Sequence, residues 1–120
     1  MSFYETRETH RKEALRTHYY IATYDQMFDI CLKVAEERNY RILDKNYERK
    51  EIFIEGDCSI VITITSFGRE QGVDLNCDTY SFFDFGKGKR RITEFYNAIG
   101  QKASFKGTGL HVWLMIKQFV

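Results

Sequence analysis

The segment from residue 58 to residue 80, CSIVITITSFGREQGVDLNCDTY, constrains the fold more than any other. Cys58 to Ser66 and Val73 to Tyr80 both alternate apolar with polar residues at the two-residue period of a half-buried strand. Between them, Gly68-Arg69 suits a two-residue type II′ hairpin loop, with glycine first, and pairs Phe67 with Glu70. Counting outward sets Ile64 against Val73, Ile62 against Leu75 and Ile60 against Cys77. One face of the hairpin is then apolar. The other carries Thr63, Thr65, Asp74, Asn76 and Asp78, with Val61 among them. A slip of one residue would turn every isoleucine to the polar face, so this register is strongly specified.

The same face pattern extends the sheet backwards. Lys50 to Glu55 reads as a strand, and Ile52 and Ile54 face Ile62 and Ile60 only across a three-residue loop, Gly56 to Cys58. A Gly56-Asp57 loop would flip the faces. Tyr40 to Asp44 makes a further strand, with a turn around Asn46, and Thr17 to Tyr24 (THYYIATY) makes the first. A helix is predicted from about Gln26 to Arg38, with Asp25 as its N-cap and Asn39 as its stop. Its apolar face is wide, which implies burial against the sheet plus a second contact along one flank. A second helix, from about Lys89 to Ala103, presents Ile92, Phe95, Tyr96, Ile99 and Ala103 as its apolar stripe. YSFFDF, Tyr80 to Phe85, is an aromatic connection leading to it.

At the ends the pattern weakens. FYETRETHRKEAL alternates charge signs and reads as a solvated N-terminal helix or arm. FKGTG breaks the chain with two glycines. The last residues, LHVWLMIKQFV, fit a short helix or a strand, with helix the closer fit. The expected fold class is α+β: an antiparallel sheet of about five strands with helices on one face, in the order β-α-β-β-β-β-α. An N-terminal helical arm and an apolar C-terminal segment complete a single domain, 1–120. This order resembles TATA-binding-protein-like and helix-grip domains. The resemblance is one of element order alone, and such folds host unrelated functions.

Composition narrows the classes. A chain of 120 residues, 43% apolar and 16% aromatic, holds enough core formers to fold without metal or disulfide staples. Cys31, Cys58 and Cys77 are odd in number and lack CxxC spacing, and the charged N-terminus lacks the apolar core of a signal peptide. Free thiols and a cytoplasmic location are expected. The longest apolar run, Leu110 to Ile116, is far shorter than the roughly 20 residues of a membrane span. A formal charge of +1 leaves any case for nucleic acid to local patches.

One such patch is Gly86-Lys87-Gly88-Lys89-Arg90-Arg91. Cations at a helix start are locally unfavourable unless an anion docks on the free N–H groups, and the glycines would allow its close approach. The alternative is a solvated loop, or pairing with acids such as Asp84. Arg7, Arg11, Lys12 and Arg16 would join the patch if the arm lay nearby, and Phe82, Phe83 and Phe85 could stack bases. No Walker loop is present. Asp84-Phe85-Gly86 matches the kinase metal-binding tripeptide by coincidence, because the other kinase motifs are missing. His10, His18 and His111 are scattered, and no nucleophile, base and orienter come together, so neither catalytic residues nor a metal or cofactor is expected.

Surplus apolar surface points elsewhere. Phe53, Val61 and Tyr80 would form a patch on the sheet's polar face. Leu110, Trp113, Met115 and Phe119 make the tail too apolar to hang free. The sequence therefore suggests a non-enzymatic protein-interaction module, a homodimer or one half of a complex with another protein, working through the sheet face or the tail. Anion or nucleic-acid binding is the second reading, and a small-ligand carrier the third.

Overall fold

The computed structural model describes residues 3–81 and 83–108. Seven antiparallel strands form one sheet: β1 (Phe3–Glu5), β2 (His18–Ile21), β3 (Arg41–Asn46), β4 (Glu51–Glu55), β5 (Ser59–Phe67), β6 (Glu70–Asp78) and β7 (Ser104–Thr108). Two helices, α1 (Tyr24–Glu37) and α2 (Lys87–Gly100), complete it. The strand order is β3-β4-β5-β6-β2-β7, with β1 also paired to β6. β1 and β2 thus share one edge of β6: Phe3–Glu5 lie along Asp78–Asn76, and His18–Ile21 along Val73–Glu70.

The central hairpins adopt the register expected from their face pattern. Ile64 faces Val73, Ile62 faces Leu75 and Ile60 faces Cys77, with Phe67 opposite Glu70 at the turn. Ile52 faces Ile62 and Ile54 faces Ile60 across the three-residue loop. These side chains are at most 1% exposed. They pack in one cluster with Met27, Phe28, Cys31, Val34 and Ala35 of α1 and with Ile92, Phe95, Tyr96 and Ile99 of α2. Both helices therefore cover the same, inner face. They also touch each other, which is the second contact that the wide apolar face of α1 implied.

Five expectations are corrected. The sheet has seven strands rather than about five. Part of the N-terminal arm is strand β1, because Tyr4 turns inward opposite Cys77 while Phe3 and Glu5 face out. Of the FKGTG segment, Phe105 to Thr108 form no break but belong to β7, held by Phe105 against His18 and Tyr20, with ring centroids 5.2 and 5.6 Å away, while Gly109 lies outside the described residues. The N-cap of α1 is Thr23, not Asp25. The Thr23 hydroxyl accepts from the Gln26 N–H while the Gln26 side chain accepts from the Thr23 N–H, a reciprocal capping box. Asp25 lies within the first turn, where its charge complements the helix dipole. Similarly, α2 begins at Lys87 and ends at Gly100, short of Ala103. The tail, with Leu110, Trp113, Met115 and Phe119, and the aromatic Phe82 lie outside the described residues.

Candidate functional site

The arm between β1 and β2 organises one side of the molecule. It leaves the sheet at Thr6 and rejoins it at Thr17, both buried. Their hydroxyls converge on one carboxylate oxygen: Thr6 Oγ1 and Thr17 Oγ1 donate to Asp74 Oδ1 at 2.9 and 2.8 Å. Thr6 Oγ1 in turn accepts from the Leu75 N–H at 2.7 Å. Burial pushes the Asp74 carboxyl up, and the two threonine hydrogen bonds only partly offset it.

Around Asp74 the outer face forms an open groove of about 360 Å³. Thr63, Thr65, Asn76 and Asp74 form its floor, and Glu5 of β1 with Arg7 and Glu8 of the arm one wall. Tyr19 and Phe67 close one end, with ring centroids 5.8 Å apart. Tyr19 lies flat there because Gly72 stands opposite it, and a Cβ on Gly72 would come within 3.0 Å of the ring. The Tyr19 hydroxyl donates to Glu8 at 2.5 Å. Farther along the same face, Phe53 and Val61 are cross-strand partners, and Phe53 is 36% exposed. Tyr80 is not on the sheet; it follows β6 in a left-handed conformation and is 48% exposed.

The Gly86–Arg91 segment is already supplied with anions from its own chain. The Gly86 and Gly88 N–H groups donate to Asp84 Oδ1 and Oδ2 at 3.0 and 3.2 Å. Tyr4 Oη donates to Asp84 Oδ1 at 2.9 Å. Burial alone would raise the Asp84 carboxyl, but the hydrogen bonds from Tyr4, Gly86, Gly88 and Thr79 outweigh it and hold it low. Gly88 makes room for a protein ring: a Cβ there would lie 2.1 Å from Tyr4 Cδ2. Arg91 pairs with Asp57 at 2.7 Å and Glu94 at 3.2 Å, and Lys87 approaches Asp57 at 3.6 Å. The Arg91 hydrogen bond holds the Asp57 carboxyl below its usual range.

Two cations of the segment stand apart from these pairs. Arg90 is exposed and donates to the Phe85 carbonyl at 2.7 Å, while Lys89 lies beside Lys12 of the arm, whose ammonium it holds below its ordinary value. The arm thus lies against the start of α2, the condition on which its cations could join the patch. Arg11 and Lys12 are exposed there, whereas Arg7 faces the groove and Arg16 binds the carbonyls of His10 and Arg11. Phe83 and Phe85 are 78% and 88% exposed in the adjoining loop.

The remaining candidates sit in the core. Cys31, Cys58 and Cys77 are free and buried, and burial pushes Cys31 up to about 12. The Cys58 sulfur lies 3.6 Å from the Tyr40 hydroxyl. His18 stacks on Tyr96 at 3.6 Å. Among the described residues no three of His, Cys, Asp or Glu are grouped to hold a metal ion, and no helix is long and apolar enough to cross a membrane.

Sequence reasoning missed Glu5, Glu8 and Tyr19 as members of surface sites. The signal available was Gly72, a glycine inside a strand, which marks a close approach. Compared with known proteins, the chain matches no family model and no curated protein is significantly similar to it in sequence.

Proposed function

We propose that this domain is a non-enzymatic protein-interaction module that forms a homodimer through the outer face of its sheet. The observation that carries this reading is the asymmetry of the two faces. The inner face is closed by both helices. Among the described residues the outer face is covered only in part, by the arm, and it bears Phe53 and Val61 as a pair, with the exposed Phe67 beyond them. Apolar side chains in such a row contribute association energy when a second surface removes them from water. A small-ligand carrier would need room between sheet and helices, and Ile52, Ile62, Leu75, Met27, Ile92 and Phe95 fill that space.

A second reading, binding of a phosphate-bearing anion or nucleic acid, draws support from Lys12 and Lys89, two neighbouring cations without a carboxylate partner among the described residues. Salt-sensitive retention on a phosphate resin would favour it.

Native mass spectrometry of the wild type and of Val61→Asp tests the leading reading. A dimer in the wild type that the variant loses while keeping its circular dichroism supports it. A wild type that stays monomeric, or a variant that dimerises equally well, contradicts it.

A further inference from the structure

The turn from Phe83 to Gly86, which leads into α2, is tied to the body of the fold while its rings stay in water. Asp84 is the tie. Its carboxylate accepts from the Tyr4 and Thr79 hydroxyls and from the Gly86 and Gly88 N–H groups, at 2.9–3.2 Å. The Lys87 N–H donates to the Asp84 carbonyl, and the Arg90 guanidinium to the Phe85 carbonyl. Phe85 is held at a φ of 53°, in the left-handed region that a bulky side chain rarely adopts. On either side of the anchored Asp84 stand Phe83 and Phe85, the two most exposed large apolar side chains among the described residues. Neighbouring phenyl rings on a tied turn make an apolar projection, which marks a contact surface more strongly than one exposed residue does.

The charge beside these rings has one sign. From Phe83 to Thr93 the sequence holds four bases against one acid, and that acid, Asp84, is spent on the hydrogen bonds of the turn. Lys87 and Arg91 turn to Asp57. Lys89 and Arg90 remain on the first turn of α2, with Arg90 bonded to the residue that carries the outermost ring. Exposed rings flanked by cations suit a surface that is apolar at depth and anionic at its rim, which is the make-up of an anionic lipid bilayer.

Beyond the dimer reading and independent of it, we propose that this turn attaches the domain to an anionic lipid surface. Phe83 and Phe85 enter the boundary between headgroups and acyl chains, and Lys89 and Arg90 lie at headgroup depth against the lipid anions. Nucleic acid is the weaker fit, because its binding is led by a row of phosphate contacts, and here two rings stand with only two such cations. Two rings and two charges give a reversible attachment.

Co-sedimentation with vesicles of phosphatidylcholine, alone or with about 30% phosphatidylserine, tests this. The wild-type chain should sediment with the anionic vesicles and stay in solution with the neutral ones. Phe83→Ser with Phe85→Ser, and separately Lys89→Gln with Arg90→Gln, should each lower the partition by about tenfold or more. Leu43→Ala, which trims an exposed apolar side chain on the edge strand β3, should leave it unchanged. Circular dichroism establishes that every variant is folded. A wild type that ignores anionic vesicles, ring or cation variants that bind as it does, or an equal loss in Leu43→Ala overturns the proposal. So does binding of a single-stranded oligonucleotide through Phe83 and Phe85 in place of vesicles. If native mass spectrometry shows these two rings holding two chains together, the surface is a protein contact and the proposal fails.

Discussion

Gly88 shows how far a single residue can mislead when seen without its neighbours. In the sequence it looks like room for an anion at a helix start; in the fold it is room for the ring of Tyr4, brought from the other end of the chain. Two effects oppose each other in Gly88→Ala. Alanine favours the helix by about 1 kcal/mol over glycine. Forcing a methyl group into a filled space costs about 1–3 kcal/mol. With the Cβ only 2.1 Å from a rigid ring, the second should win. A net loss of up to about 2 kcal/mol in urea unfolding is predicted, and a raised midpoint would show that Tyr4 yields without cost. His18 gives a pH prediction. Burial against Tyr96 and Phe105 pushes its imidazole below the ordinary value. The unfolded chain binds that proton near pH 6.5, whereas the native state binds it only at lower pH. Between those values the unfolded state holds more protons, so stability is complete above about pH 6.5 and is lost as pH falls through that window. The melting temperature should drop between pH 7.5 and 5.5, and His18→Phe should remove most of that drop.

At the scale of elements, legibility depended on how many independent signals agreed. The β5–β6 hairpin could be registered to the residue because turn chemistry and face alternation are separate constraints with one shared solution. The β4–β5 loop followed once the isoleucines of β4 had to face those of β5. β1 and β7 had no such redundancy. A three-residue strand such as Phe3–Glu5 cannot be told from a charged arm by alternation, and the glycine in Ser104–Thr108 reads as a breaker until Tyr19 is known to lie opposite it. The α1 cap was misplaced by two residues because Asp25 and Thr23 are both good capping types. The reciprocal bond from Gln26 decides between them. Thr23→Ala should therefore cost about 1 kcal/mol of stability, with Asp25→Ala costing less. Urea unfolding of both variants checks the order, and a larger loss for Asp25→Ala would contradict the observed cap.

For the whole molecule, the near-zero net charge proved a poor guide to the surface. An average of +1 conceals how the charges are placed: Lys87 and Arg91 meet Asp57, while the fold of residues 6–17 lays the arm, with its cations, against the start of α2. The outer apolar pair, by contrast, could be read in advance, because Phe53 and Val61 follow from the same register as the core. Two faces of one sheet thus differ: the inner makes the fold, and the outer carries the contact proposed here. Sedimentation equilibrium of the wild-type chain over a wide range of protein concentration tests the central claim most directly. A mass rising to twice the 14.3 kDa of the chain is the predicted result. A mass of one chain at every concentration would contradict it.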